Sequence, residues 1–393
     1  MTSGIARRIG DIATVQQGYT FKPGYQGQSA GEWMYVKVAD IGSSASSKYL
    51  RRSLNYVSSE VIGEMRAAPF PAGSIVFPRV GAALRNNNKR ILVEDSLTDD
   101  NVLVVTVRDK SVCDPEYLYY WFDFHDLQSF CNSGTVPVIN GKTLKLQEVL
   151  LPPIEVQRRI ASALSSWDTA IETTERLIAA KERFYAFELS RLISRGQHPR
   201  GHVGSFAHEI SERNRDGNEA RVLSVTNSRG FVLPEDQFER RVASADLSNY
   251  RVVRRGQYAY NPSRINVGSI ARLDAWDDGV LSPMYVVFGL DETKVDSDYF
   301  LHWLDSHEAR ERIKKSAQGS VRETVSFSEF ASLAIPLPGI AQQAAIARYL
   351  NALRGEIMLL GRSLDALKRQ KRGLMQKLLT GKWRVPVTEA EVA

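Results

Sequence analysis

One stretch of this sequence occurs twice. Leu151-Pro152-Pro153-Ile154-Glu155-Val156-Gln157-Arg158-Arg159-Ile160-Ala161 returns 186 residues later as Leu337-Pro338-Gly339-Ile340-Ala341-Gln342-Gln343-Ala344-Ala345-Ile346-Ala347. Upstream, Tyr117 and Trp121 match Tyr299 and Trp303 at an offset of 182, and Gly134-Thr135-Val136 matches Gly319-Ser320-Val321 at 185. Earlier still, Ile9-Gly10-Asp11-Ile12-Ala13 resembles Val203-Gly204-Ser205-Phe206-Ala207, and Gly73-Ser74-Ile75-Val76-Phe77 resembles Gly256-Gln257-Tyr258-Ala259-Tyr260. A unit of about half of the 393 residues is therefore present twice, too long for a solenoid repeat and the right size for a domain.

Each unit has the same internal order. Turn formers and short β-type runs come first, at Trp33 to Val38, Ser74 to Phe77, Val102 to Val107, Tyr258 to Tyr260 and Tyr285 to Phe288. Helices are expected near Glu116 to Phe130 and Ser297 to Lys315, which makes each unit α+β. Each then closes on a proline-led helix whose apolar positions recur at alternating steps of four and three. In the second helix Ile346, Leu350, Leu353, Ile357, Leu360, Leu364, Leu367, Lys371, Leu374 and Leu378 form this seam; in the first it runs Ile160, Leu164, Trp167, Ile171, Thr174, Ile178, Lys181, Tyr185, Glu188, Leu192. A period near 3.5 held this long is a coiled-coil pattern, and each helix is the natural partner of the other. The plainer alternative is two amphipathic helices lying on their own domains.

The expected architecture is thus two similar domains, residues 1–150 and 197–336, separated by long helices over 151–196 and 337–384, with a tail at 385–393. If a pseudo-two-fold relates the repeats, the helices form an antiparallel coiled coil. B-DNA has dyads perpendicular to its axis, so two such domains on a fixed rod suit two half-sites at a set spacing. Divergence outside the matched motifs implies that the half-sites differ.

The order of variable domain, proline-led helix, second variable domain and second proline-led helix resembles the specificity subunit of type I restriction-modification systems. The resemblance is carried by Leu151 through Ile160, Leu337 through Ile346, the Gly134 and Gly319 segments, and the ending Leu378-Leu379-Thr380-Gly381-Lys382-Trp383. It implies a non-catalytic subunit with two target-recognition domains, each reading half of a bipartite site, and paired helices that bind two adenine methyltransferase subunits. Restriction translocase subunits join through that complex. S-adenosylmethionine is then expected in the methyltransferase partner, and ATP and magnesium in the restriction partner, with no cofactor in this chain. One position departs from the family pattern: Val156 and Gln342 stand before the motif glutamines where family members usually carry Glu.

Motifs for chemistry are missing. Asn261-Pro262-Ser263-Arg264 lacks the third and fourth residues of an amino-methyltransferase motif, and reads as a turn. Asn140-Gly141-Lys142-Thr143 lacks the leading glycine of a phosphate loop, since Val136 occupies its place. Asp278, Glu292 and Lys294 have no Pro-Asp lead for a nuclease, and His198 with His202 sits in a Gly/Pro linker. No metal site is expected, and Cys113 and Cys131 form no framework. With no apolar run of membrane length, a cytoplasmic protein is expected.

The expected DNA-binding residues are Arg79, Arg85, Asn86, Asn87, Asn88, Lys89 and Arg90 in the first unit and Asn261, Arg264 and Asn266 in the second, because Arg reads guanine, Asn reads adenine and cations hold phosphates. Tyr19, Phe21 and Tyr25 suit base stacking or, more simply, packing. The net charge of +6 says little until located: residues 337–384 carry 10 basic and 2 acidic groups, whereas both candidate recognition domains are close to neutral. Lys368, Arg369 and Arg372 are therefore expected to touch partner subunits or phosphates, unless they form a solvated face. Two other functions fit parts of the pattern: a stand-alone DNA-binding repressor, and a protein-only coiled-coil scaffold.

Overall fold

The computed structural model describes residues 4–43, 47–132, 134, 136–217, 219–236, 246–318 and 324–383. Thr135, the Gly319-Ser320-Val321 match, Arg384 and the tail at 385–393 lie outside the described residues. The chain divides into two compact units, one made of residues 1–177 and 361–393, the other of residues 178–360.

In unit 1, the strands β1 (Ile5–Arg8), β2 (Ala13–Gln17), β3 (Tyr49–Leu50), β4 (Ile75–Pro78), β5 (Arg90–Leu92), β6 (Val102–Val107) and β7 (Glu148–Leu151) carry most of the framework. β2, β6, β4, β5 and β3 form a five-stranded sheet in that order, antiparallel except for β3 beside β5. Ile75 stands opposite Val105 and Phe77 opposite Leu103, so the β-branched and aromatic side chains of the centre face one another across the ladder. A separate three-stranded sheet joins Trp33–Val36, Tyr56–Val57 and Ser96–Thr98. β1 pairs with β7, which leads into the long helix.

Unit 2 contains β8 (Arg200–His202), β9 (Ala207–Ile210), β10 (Tyr258–Tyr260), β11 (Ile270–Arg272), β12 (Val286–Leu290) and β13 (Ala334–Pro336). Its four-stranded sheet has the order β9-β12-β10-β11, position for position the order of β2-β6-β4-β5 in unit 1. β8 pairs with β13 as β1 pairs with β7.

Four helices matter for the site: α1 (Pro115–Phe124), α2 (Ile154–Leu189), α3 (Ser297–Asp305) and α4 (Ile340–Leu379). Asp114 caps α1 through the Tyr117 amide, and Asp296 caps α3 through the Tyr299 amide, each satisfying a donor that the first helical turn leaves unpaired. Three expected boundaries change. The helix expected near Glu116 to Phe130 ends at Phe124, and Leu127–Phe130 is a separate 3-10 turn. The helix expected over Ser297 to Lys315 is two helices that meet at Ser306, and the first long helix gives way after Leu189 to a π-turn over Ser190–Ser194. Val38, expected at the end of the β-type run from Trp33, begins a short helix, Val38–Ser43.

The unit 1 core is built mainly from β4, β6 and α1, with Ile160 and Leu164 of α2 and Met375, Leu378 and Leu379 of α4 completing it. In unit 2 the corresponding core holds Tyr258, Phe288, Phe300 and Trp303, closed by Ile346, Leu350 and Leu353 of α4. The remaining seam positions Trp167, Ile171, Ile178, Ile357, Leu360, Leu364 and Leu367 are half-buried.

Candidate nucleic-acid interface

The repeated motif glutamines turn out to be anchors. Gln157, 1% exposed, accepts from the Asp114 amide at 2.9 Å and donates to the carbonyls of Pro152 at 2.8 Å and Val112 at 3.0 Å. Gln343, also 1% exposed, accepts from the Asp296 amide at 2.9 Å and donates to the carbonyls of Pro338 at 2.7 Å and Lys294 at 3.2 Å. Tyr117 and Tyr299 add the same further bond, from their hydroxyls to the carbonyls of Leu150 and Pro336. A buried carboxamide can bridge donors and acceptors at once, so in each unit it ties the capped end of one helix to the first turn of the next. The sequence marked these glutamines as repeated; their partners are set by tertiary contact.

Above this frame each unit binds α1 or α3 to the long helices with a polar cluster. In unit 1, Lys371 Nζ lies 2.6 Å from Asp168 and 2.9 Å from Asp123, and the Tyr120 hydroxyl donates to Asp168 at 2.6 Å. Burial opposes the Lys371 charge, but Asp123 and Asp168 outweigh it and raise the pKa. Lys48 joins Glu116, Tyr120 and Ser165. In unit 2, His302 is 1% exposed, and its ring nitrogens bond the Tyr185 hydroxyl at 2.8 Å and Asn351 Oδ1 at 2.9 Å. Arg354 donates to the Tyr185 hydroxyl at 2.9 Å and pairs with Asp305. Burial, reinforced by the Arg354 charge, holds the His302 pKa below its ordinary value.

The expected DNA-binding loop of unit 1 separates into two groups. Arg85 and Asn86 are exposed, and Arg79 and Asn88 are half-buried. Asn87, in the left-handed conformation at φ 54°, accepts from both Lys89 Nζ and the Leu127 amide at 2.8 Å, so its side chain organises the turn. Lys89 and Arg90 are in the interior, 2% and 7% exposed. In unit 2, Arg264 and Asn266 are exposed, while Asn261 is buried, its Oδ1 accepting from the Ser263 amide as a turn requires. The exposed set Arg85, Asn86, Arg264 and Asn266 has the chemistry and access for base or phosphate contact.

Of the aromatic candidates, Phe21 is buried and stacked on Tyr35, Tyr19 packs near Phe70, and Tyr25 donates to Glu64. Lys368 pairs with Glu175 at 2.7 Å, whereas Arg369 and Arg372 are exposed. Asn140 caps a five-residue helix, Gly141–Lys145. Asp278 pairs with Arg221 and Lys294 with Asp291, while His198 and His202 bond the carbonyls of Leu192 and Ser332. Among the described residues no group of three His, Cys, Asp or Glu is placed to hold a metal ion, and no helix is long and apolar enough to cross a membrane.

The chain is similar to known proteins in sequence and in fold. The type I restriction enzyme MjaVIII specificity subunit of Methanocaldococcus jannaschii is 22% identical over 322 residues, 72% of this chain and 74% of the relative. The putative MjaX specificity subunit of the same organism is 24% identical over 270 residues, 63% of this chain and 62% of the relative. The fold is similar to that of the S subunit of a type I restriction-modification system from M. genitalium, with a TM-score of 0.60 at 14% identity over 98% of this chain and 97% of that one. It is also similar to a chain from a study of complex assembly and conformational transition of the type I R-M system, with a TM-score of 0.55 at 14% identity, covering 96% and 97%. Residues 6–182 match the type I restriction modification DNA specificity domain.

Proposed function

We propose that the chain is the DNA-recognition subunit of a type I restriction-modification complex, in which each unit reads one half of an asymmetric bipartite site. The observation that carries this reading is the twofold set of bonds around Gln157 and Gln343, joined to loops whose exposed residues differ between the units. A shared frame with different reading residues is what two unlike half-sites demand.

The long helices are read as an internally duplicated, antiparallel coiled-coil pair that sets the gap between half-sites and docks two adenine methyltransferase subunits. Two ion pairs support the direction: Asp168 meets Lys371 while Glu175, further along α2, meets the earlier residue Lys368. Catalysis belongs to the partners, the methyltransferase subunits supplying S-adenosylmethionine and the restriction subunits ATP and magnesium, in the cytoplasm with the DNA.

The test is to express the chain with its methyltransferase subunit and map the methylated adenines. A bipartite asymmetric site, with sequence-specific binding that requires the methyltransferase, supports the reading. Tight specific binding by the isolated chain favours a repressor, and absence of DNA binding in both settings favours a scaffold. Inserting four residues into both helices lengthens them by about 6 Å and should change the preferred gap.

A further inference from the structure

Unit 1 contains a cavity of about 550 Å³ between its recognition loop and the α2 and α4 segments. Its wall is strongly cationic. Lys371 and Lys368 are committed to carboxylates in the same wall, and Lys48 to Glu116 outside it. Lys89, Arg90, Arg369 and Arg372 also line it. Lys89 Nζ donates to neutral acceptors, namely the Asn87 carbonyl at 3.2 Å, Asn87 Oδ1 at 2.8 Å and the His125 carbonyl at 2.9 Å. An ammonium group buried on neutral oxygens alone is costly.

The fold does not require this charge. In unit 2 the ladder position of Arg90, opposite Val76, is held by Ala271, opposite Ala259, and the residue before it is Ile270 where unit 1 has Lys89. Arg372 likewise has Ala186 at the position 186 residues before it. The same sheet is therefore built in unit 2 with apolar residues at positions where unit 1 buries cations.

We propose that this cavity is an anion site that takes the phosphate group of a ligand, with Arg369 and Arg372 at its exposed rim and Lys89 adding charge from the interior. Burial draws the Lys89 pKa down to about 8; Asp123 and Asp126 pull it up and Lys371 pushes it down, so a bound anion would stabilise the charged form. A phosphate has two sources, a free phosphorylated small molecule or the DNA backbone. The DNA source rests on the function proposed above, and the free source does not.

The experiment titrates the intact chain with inorganic phosphate and tripolyphosphate by calorimetry, and with random-sequence duplex by anisotropy over a range of salt. Arg369→Gln/Arg372→Gln and Lys89→Ile are compared with Arg183→Gln, the exposed arginine 186 residues before Arg369. Lys89→Ile copies the residue found in unit 2, and its melting temperature reports whether the fold is kept. Saturable tripolyphosphate binding, weakened at least ten-fold in both pocket variants and not in Arg183→Gln, establishes a free-phosphate site. Absence of that binding, with a salt slope for duplex flattened by about 0.9 for each phosphate no longer neutralised in the pocket variants alone, establishes a backbone-phosphate site. The proposal is overturned if neither ligand distinguishes the pocket variants from Arg183→Gln, and this outcome leaves the adenine-mapping result unaffected.

Discussion

Lys371 of α4 lies 2.6 Å from Asp168 of α2, and the positions 186 residues away, Tyr185 and Arg354, are bonded to each other at 2.9 Å. Both cations thus sit on α4, and at the 186-residue offset Lys371 corresponds to Tyr185 of α2 while Arg354 corresponds to Asp168 of α2. Asp123 and Asp305, which follow Tyr120 and His302 by three residues, complete the two clusters by pairing with Lys371 and Arg354. Equivalent places are held by equivalent geometry with exchanged chemistry.

That exchange is testable by a double-mutant cycle. Asp168→Arg alone sets a guanidinium beside Lys371, and Lys371→Tyr alone leaves Asp123 and Asp168 without their cation; both should destabilise unit 1. The double variant imports the unit 2 arrangement, with the guanidinium introduced at position 168 pairing with Asp123 as Arg354 pairs with Asp305. Urea denaturation should give a favourable coupling of about 1–3 kcal/mol. Simple additivity would show that the two clusters are not interchangeable.

Gln157→Ala and Gln343→Ala should each cost about 2–3 kcal/mol, because each strands one buried amide and two carbonyls. The two losses should be similar in size, as the bond sets are. Chemical denaturation of the single variants measures this.

His302 makes unit 2 sensitive to acid. Its neutral ring is held by Tyr185 and Asn351, with Arg354, Asp305 and Asp298 as the charged groups around it. The folded pKa lies below the ordinary 6.5, so the unfolded chain binds the proton first. Stability from this residue is therefore complete above pH 6.5 and declines as the pH falls below it. Melting temperatures between about pH 7.5 and 5 should fall less for His302→Gln than for the parent chain.

Arg85→Ala and Arg264→Ala should act on different halves of the target. Each arginine is exposed in one unit, so each variant should relax methylation at one half-site and leave the base preference at the other unchanged. Sequencing methylated adenines separates this from a uniform loss, which would mark a phosphate contact that does not read bases.

The two long helices and the strands before them were the legible part of the fold. Matching segments at a nearly constant offset and two seams of period 3.5 located both long helices and the sheets before them, because burial periodicity is local. The partners of Lys371 were not legible: its seam position looked like a break in an apolar stripe, and only the packing of α1 supplies Asp123. The polar loop between β4 and β5 was partly legible. A run of Arg, Asn and Lys indicates a polar loop, but which of them turn inward depends on strand register, and β5 carries Arg90 into the core while Arg85 remains outside.

Unit 1 takes residues from both sides of unit 2 in the sequence, and its core is closed by Met375, Leu378 and Leu379. During synthesis the residues of unit 2, contiguous from 178 to 360, have all been made before the helix segment that seals unit 1 emerges from the ribosome. The domain translated first is the one finished last, and its apolar interior stays open to solvent and chaperones for the time needed to add roughly 200 residues, about 10–40 s at typical elongation rates.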